Sequence, residues 1–256
     1  MSLRKKTLLI TGLIFLSMMI ILYAISHTVL LTSFETLEEQ NARRDVAQAL
    51  AALRDRLEDI KSQLSDWAPW DDTYDFIEDG NQAYIRSNLV DDTFSGQDLN
   101  VMIFINSSGR VIYSKYYNLD ARQQQPLPTS ILKQLDDHKE LWRLTSQDTT
   151  LAGILMLPEN PMLIACAPIL TSNHAGPSRG TLIFGRHLDH KVVDDLSSIT
   201  QLSVTLSKLQ SPAPVLELQS PQAASLPGAD VRLQALNDHV LTARSYLKDI
   251  FGQPAL

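Results

Sequence analysis

Trp67-Ala68-Pro69-Trp70-Asp71-Asp72-Thr73-Tyr74-Asp75-Phe76-Ile77 packs four aromatic rings, a proline and three carboxylates into eleven positions. Proline inside a helix loses a backbone hydrogen bond and clashes with the preceding turn, yet it is comfortable in a first turn. The chain is therefore expected to end one helix here, bend, and start another. Asp71 and Asp72 then fall in the new first turn, where a carboxylate gains about 0.3 to 1 kcal/mol from the positive end of the helix dipole. Trp67, Trp70 and Tyr74 step by three and four, so in helical geometry they share a face. That face reads first as packing and second as a binding wall.

Working back from the motif, Val46, Leu50, Leu53, Leu57, Ile60, Leu64 and Trp67 alternate spacings of four and three, with Arg54, Asp55, Arg56, Glu58, Asp59 and Lys61 between them. This is a heptad seam on a stalk helix over residues 33–68. A seam of this period fits a dimeric coiled coil, and equally an amphipathic helix lying on its own domain. Before it, residues 7–26 carry no charge. At about 1.5 Å per residue that length matches a hydrocarbon core of roughly 30 Å, so residues 7–32 are expected to form a transmembrane helix with its outer juxtamembrane segment. Arg4, Lys5 and Lys6 precede the apolar run and Glu35, Glu38 and Glu39 follow it, which places residues 1–6 in the cytoplasm and the remainder outside. The rival is a cleaved signal peptide, for which Ala24-Ile25-Ser26 offers small residues.

Working forward, apolar runs over residues 99–105, 111–117, 151–157, 162–169 and 181–184 read as five strands of one antiparallel sheet, covered on both faces because they are continuously apolar. Residues 131–141 supply a short amphipathic helix to that cover, and 188–199 another that closes the module. Segments 121–128 and 171–179 read as loops. Beyond Gln210, four prolines at 212, 214, 221 and 227 mark a loose stretch before a smaller lobe over 201–256, in which 240–247 alternate toward a turn at Gly252. Pro254, Ala255 and Leu256 would begin a return strand, so the terminal hairpin is expected to be cut short and to fray.

The motif of residues 67–77, followed by Tyr84, Asn88-Leu89, Leu99-Asn100 and the turn Asn106-Ser107-Ser108-Gly109-Arg110, resembles the fourth class of CHASE domains. These are extracellular sensory modules of bacterial histidine kinases and cyclic-dinucleotide enzymes, within the PAS-like Cache group. The resemblance covers residues 66–200, and Asp249-Ile250-Phe251-Gly252-Gln253-Pro254 is similar to a segment such sensors carry before a second membrane helix. It implies an α+β fold, a PAS-like antiparallel sheet flanked by helices, in a receptor of the bacterial inner membrane. It also implies a second span and a cytoplasmic kinase or cyclase beyond this chain.

Composition narrows the alternatives. The chain has 256 residues, 44% of them hydrophobic, with a formal net charge of -7 and no long basic run, which argues against a nucleic-acid surface. The single cysteine, Cys166, lies in an apolar strand and excludes both an internal disulfide and a multi-cysteine zinc site. No nucleotide-binding glycine loop, zincin helix or hydrolase nucleophile elbow is present. His187-Leu188-Asp189-His190 sits at a strand-to-helix junction and reads as solvated before it reads as a metal site. No cofactor is expected. The expected ligand-binding residues are Trp70, Asp72, Tyr74, Tyr84, Asn88 and Asn100, with Arg110 and Arg186 as partners for an anionic group. The competing assignments are core packing, helix-end charge and turn hydrogen bonding. The function expected is binding of a small ligand outside the membrane, relayed through the stalk of a homodimer. A tethered periplasmic hydrolase and a non-binding dimeric adaptor are the alternatives.

Overall fold

The computed structural model describes residues 3–144, 149–174, 176–207, 231–237 and 240–256. The chain divides into two compact units, Met1–Ala47 with Val231–Arg244 and Gln48–Asp230 with Ser245–Leu256. Helix α1 runs over Leu3–Trp67. Its segment Leu3–His27 has a mean hydropathy of 2.6 and no buried residues, so it is long and apolar enough to cross a membrane. The first unit also holds a two-stranded sheet of β7 (Val231–Asn237) and β8 (Val240–Ser245). The proline-bearing stretch after Gln210 lies outside the described residues.

The second unit is an α+β fold around a six-stranded antiparallel sheet. Its strands are β1 (Val101–Asn106), β2 (Val111–Asn118), β3 (Gln123–Gln125), β4 (Leu151–Leu155), β5 (Met162–Ile169) and β6 (Gly180–His187), in the order β3-β2-β1-β6-β5-β4. The five expected strands are all present. The sixth, β3, falls where a loop was expected, because its three glutamines carry no apolar signal and are held only by pairing with Tyr116, Tyr117 and Asn118.

Period-two alternation sends each central strand to two cores. Met102 and Phe104 of β1, Leu163, Ala165, Ala167 and Ile169 of β5, and Leu182 and Phe184 of β6 face one cluster. Val101, Ile103 and Ile105, with Met162, Ile164, Cys166 and Ile183, face the other. The first cluster is covered by Leu53, Ile60 and Leu64 of α1, by α2 (Asp71–Asp79), α3 (Gln82–Asn88) and α4 (Asp91–Gly96), and by α6 (His190–Thr200). The second is covered by α5 (Thr129–Asp137), the 3-10 turn Lys139–Leu141, and Ile250 and Phe251 from the C-terminal segment. Burial on both faces explains the continuous apolar runs.

The bend at Pro69 is where the sequence puts it. α1 ends at Trp67, α2 opens at Asp71 with Trp70 as N-cap, and Asp71 and Asp72 occupy the first turn. Gly80, at φ 60°, ends α2 in the left-handed conformation that disfavours a side chain. At the C-terminus the turn forms at Gly252, and Lys248 bridges Pro254. The return is paired: Leu247 N–H donates to Leu256 O at 2.7 Å, Ala255 N–H to Leu247 O at 2.8 Å, and both Ala255 and Leu256 are buried. Ile250 N–H also donates to Ile154 O at 2.8 Å, so this segment caps the outer edge of β4.

Candidate functional site

The eight residues singled out in the sequence fall in four places, the start of α2, helix α3, the turn between β1 and β2, and the pair Asn100 and Arg186. Trp70 and Asp72 are exposed at the start of α2, and Trp70 meets the edge of Trp67 at 5.9 Å between ring centres. Tyr74 is half-buried and donates its hydroxyl to Pro177 O at 3.2 Å. The Arg179 guanidinium lies 3.7 Å from the Tyr74 ring centre and bonds Tyr74 O, Asp75 and Glu78. Asp71 and Ser172 exchange hydrogen bonds, Ser172 N–H to Asp71 Oδ1 at 2.9 Å and Asp71 N–H to Ser172 Oγ at 3.3 Å. The backbone N–H of Ser172, then its hydroxyl, holds the Asp71 carboxyl below its ordinary range. The motif's acids and tyrosine thus clamp the loop between β5 and β6. Sequence reasoning missed Ser172 and Arg179, which lie in a polar loop that nothing in the local pattern distinguishes.

Tyr84 lies deeper. It is buried, stacks on Phe76 at 4.4 Å, and shares a 2.7 Å hydrogen bond with Thr73 Oγ1. Phe104 and Tyr113 complete the ring cluster, Phe104 edge-on to Phe76 at 5.1 Å. Burial pushes the Tyr84 phenol up to about 12. Asn88 is half-buried at the end of α3 and bonds Ser87. Beside it, the buried Lys115 ammonium bonds Leu89 O at 2.9 Å and Asp91 at 2.6 Å, over the Phe94 ring. Arg110 is exposed in the turn between β1 and β2, where Asn106 Oδ1 accepts its backbone N–H.

Asn100 and Arg186, far apart in sequence, do meet. Asn100 Oδ1 accepts from Arg186 Nη1 at 3.1 Å and from His187 N–H at 2.9 Å, while its Nδ2 donates to Tyr117 O at 3.0 Å. Arg186 is 1% exposed. It also donates to Asp189 Oδ2 at 2.6 Å, Asp98 Oδ2 at 3.2 Å and His187 O at 2.9 Å. Burial works against the cation, but Asp189 and Asp98 outweigh it and raise the guanidinium above its ordinary value. Asp189 is itself held low by Arg186 against burial, and caps α6 by accepting from Val192 N–H. His187 is pushed down, first by burial, and its Nδ1 has no hydrogen-bond partner. No group of metal-ligating side chains occurs among the described residues.

A cleft of about 330 Å³ opens beside Asp189, walled by Pro161, Leu188, Val193, Val204 and Leu206, with Asn160, Asp189, His190 and Asp194 as polar lining. Of the eight residues above, none lines it.

The CHASE4 domain model matches residues 52–207. The methanogenesis regulatory histidine kinase FilI of Methanothrix harundinacea is 28% identical over 256 residues, which is 100% of this chain and 28% of that protein. The chain therefore spans under a third of that relative's length. Among solved structures, the extracellular domain of a protein described as the histidine kinase vpHK1S-Z8 aligns with 16% identity and a TM-score of 0.44, over 62% of this chain and 61% of that one. A domain of a sensory box/GGDEF family protein from Vibrio parahaemolyticus aligns with 15% identity and a TM-score of 0.43, over 62% of this chain and 64% of that one.

Proposed function

The chain belongs to the CHASE4 family of extracellular sensory domains, and from that premise we propose that it is the membrane-anchored sensor region of a signalling receptor. In this reading Leu3–His27 spans the membrane with its basic end in the cytoplasm, and the sheet-bearing unit lies outside. A small ligand binds on the side formed by the motif helices, and α1 carries the response toward a cytoplasmic output of the histidine-kinase kind found in the Methanothrix relative.

One observation carries this: Leu53, Ile60 and Leu64 of α1 share a single core with Phe76, Ile77 and Tyr84 of α2 and α3. Close-packed interiors do not absorb displacement locally. A ligand that moves α2 or α3 must also shift the equilibrium position of α1, by as much as its affinities for the two arrangements differ. Trp70, Asp72, Tyr74, Tyr84, Asn88 and Asn100 remain the proposed ligand-side residues, with Arg186 behind Asn100 and Arg110 on the neighbouring turn. A non-binding dimeric adaptor is the second reading, favoured by the filling of the aromatic core around Tyr84.

The test is thermal unfolding of the full chain in nanodiscs against small carboxylic acids, amino acids and quaternary amines. A sensor gains stability from one class, because binding to the folded state alone raises the midpoint. The gain disappears in Trp70→Ala and Tyr74→Ala. No shift with any class supports the adaptor.

A further inference from the structure

The turn between α4 and β1 concentrates more unfavourable features than a loop of its size needs. Asp98 holds φ at 51°, in the left-handed region that costs a non-glycine residue about 1 kcal/mol. Next to it, the Gln97 Oε1 is buried with no hydrogen-bond partner. Strained or unsatisfied groups persist when the surroundings over-determine them, and they gather at switching segments.

The surroundings here are cationic. The Asp98 carboxylate is shared by Arg56 of α1, by Arg186 of β6 at 3.2 Å, and by Lys191 of α6, whose Nζ lies 4.0 Å away. Arg186 does not depend on Asp98, since Asp189 and Asn100 also hold it. Arg56 is different, because among the described residues its ion pair is with Asp98 alone. The rest of α1 within this unit attaches through apolar side chains, Leu53, Ile60 and Leu64 with Ala52, Leu57 and Trp67 packed beside them. Apolar contact is non-directional, whereas an ion pair between a guanidinium and a carboxylate adds a directional constraint on position.

We infer that Asp98 is a release joint: its carboxylate, anchored to the sheet by Arg186, fixes the register of α1 through Arg56, and transfers toward Lys191 when α1 moves. The inference rests on the sensor reading for its purpose only, since no ligand enters its geometry.

Hydrogen exchange of the full chain in nanodiscs tests it. Arg56→Gln and Asp98→Asn are each expected to speed exchange in α1 residues 50–60 by about tenfold. The double variant should go no further, because the two groups act as one unit. Arg56→Lys, which keeps the charge, stays close to the wild type. Arg56 is 35% exposed along its side chain, so its variants fold even where Asp98→Asn does not. Unchanged exchange in Arg56→Gln, or additive effects in the double variant, overturns the joint. Failure of every ligand in the thermal assay leaves this result standing, so the two claims fail separately.

Discussion

Two buried side chains set the behaviour of the sheet-bearing unit against pH and substitution. Tyr84 titrates near 12 because burial opposes the phenolate. Its folded value lies above an unfolded value of about 10, so its contribution is fully present below 10 and lost as the pH rises toward 12. Burial also raises Tyr113 and Tyr116, so ultraviolet titration is read as a difference: the Tyr84→Phe variant should lose one ionisation near 12 relative to wild type. Arg186 makes the opposite kind of commitment, a cation fixed by two carboxylates and an amide. Removing the cation takes from Asp189 its guanidinium partner while Asp98 keeps Arg56, and breaking a buried pair in this way costs about 3 to 5 kcal/mol. Arg186→Leu is therefore expected to lower stability by that order in urea unfolding, and a loss under 1 kcal/mol would show that Asp98 and Asp189 rehydrate freely.

Among the elements, β5 and β6 are the most constrained, because every residue in each is buried and each pairs on both sides. A Cβ at Gly180 would stand 2.2 Å from Ile105 O and 2.8 Å from the Asn106 Cα, both backbone atoms that cannot move aside cheaply. Gly180→Ala should cost more than about 2 kcal/mol, with the loss measured by thermal unfolding. Gly185→Ala meets mainly the flexible Met162 side chain and should cost less. The sequence made the central elements legible for the same reason they are constrained: β1, β5 and β6 are buried on two faces and read as apolar runs. It hid β3, whose Gln123, Gln124 and Gln125 are held by pairing alone. It also hid the ends of the long-range contacts. The motif announces Asp71 and Tyr74, but their partners Ser172 and Arg179 lie about a hundred residues on, in a loop with no distinguishing pattern. Asn100 and Arg186 were legible one by one; their meeting was not, since it depends on the β1 to β6 register.

On the scale of the whole molecule, sidedness and self-association are each read by a different residue. Cys166 cannot report sidedness, being fully buried with its thiol pushed up by that burial. Ala121 is exposed, so Ala121→Cys in intact spheroplasts should react with an impermeant maleimide if the unit lies outside, and only after lysis if it lies inside. For self-association the heptad seam is ambiguous in sequence, and the fold shows where it goes. Leu53, Ile60 and Leu64 are buried in the unit's own core, and Leu57 and Trp67 pack against it. The opposite face carries Arg54, Asp55, Glu58 and Ser62, all exposed and unlike the apolar seam a coiled coil needs. A dimer formed through α1 would thus rely on residues before Leu50, and charge placed in the seam should act on folding itself. Leu64 is 0% exposed, and an aspartate there either neutralises or unfolds its surroundings, at several kcal/mol. Leu64→Asp is expected to lower the unfolding midpoint of the full chain in nanodiscs holding one copy each, where a dimer contact cannot contribute. If instead the single-copy midpoint is unchanged and only the association of two copies is lost, the seam faces a partner and the packing of α1 on the sheet is wrong.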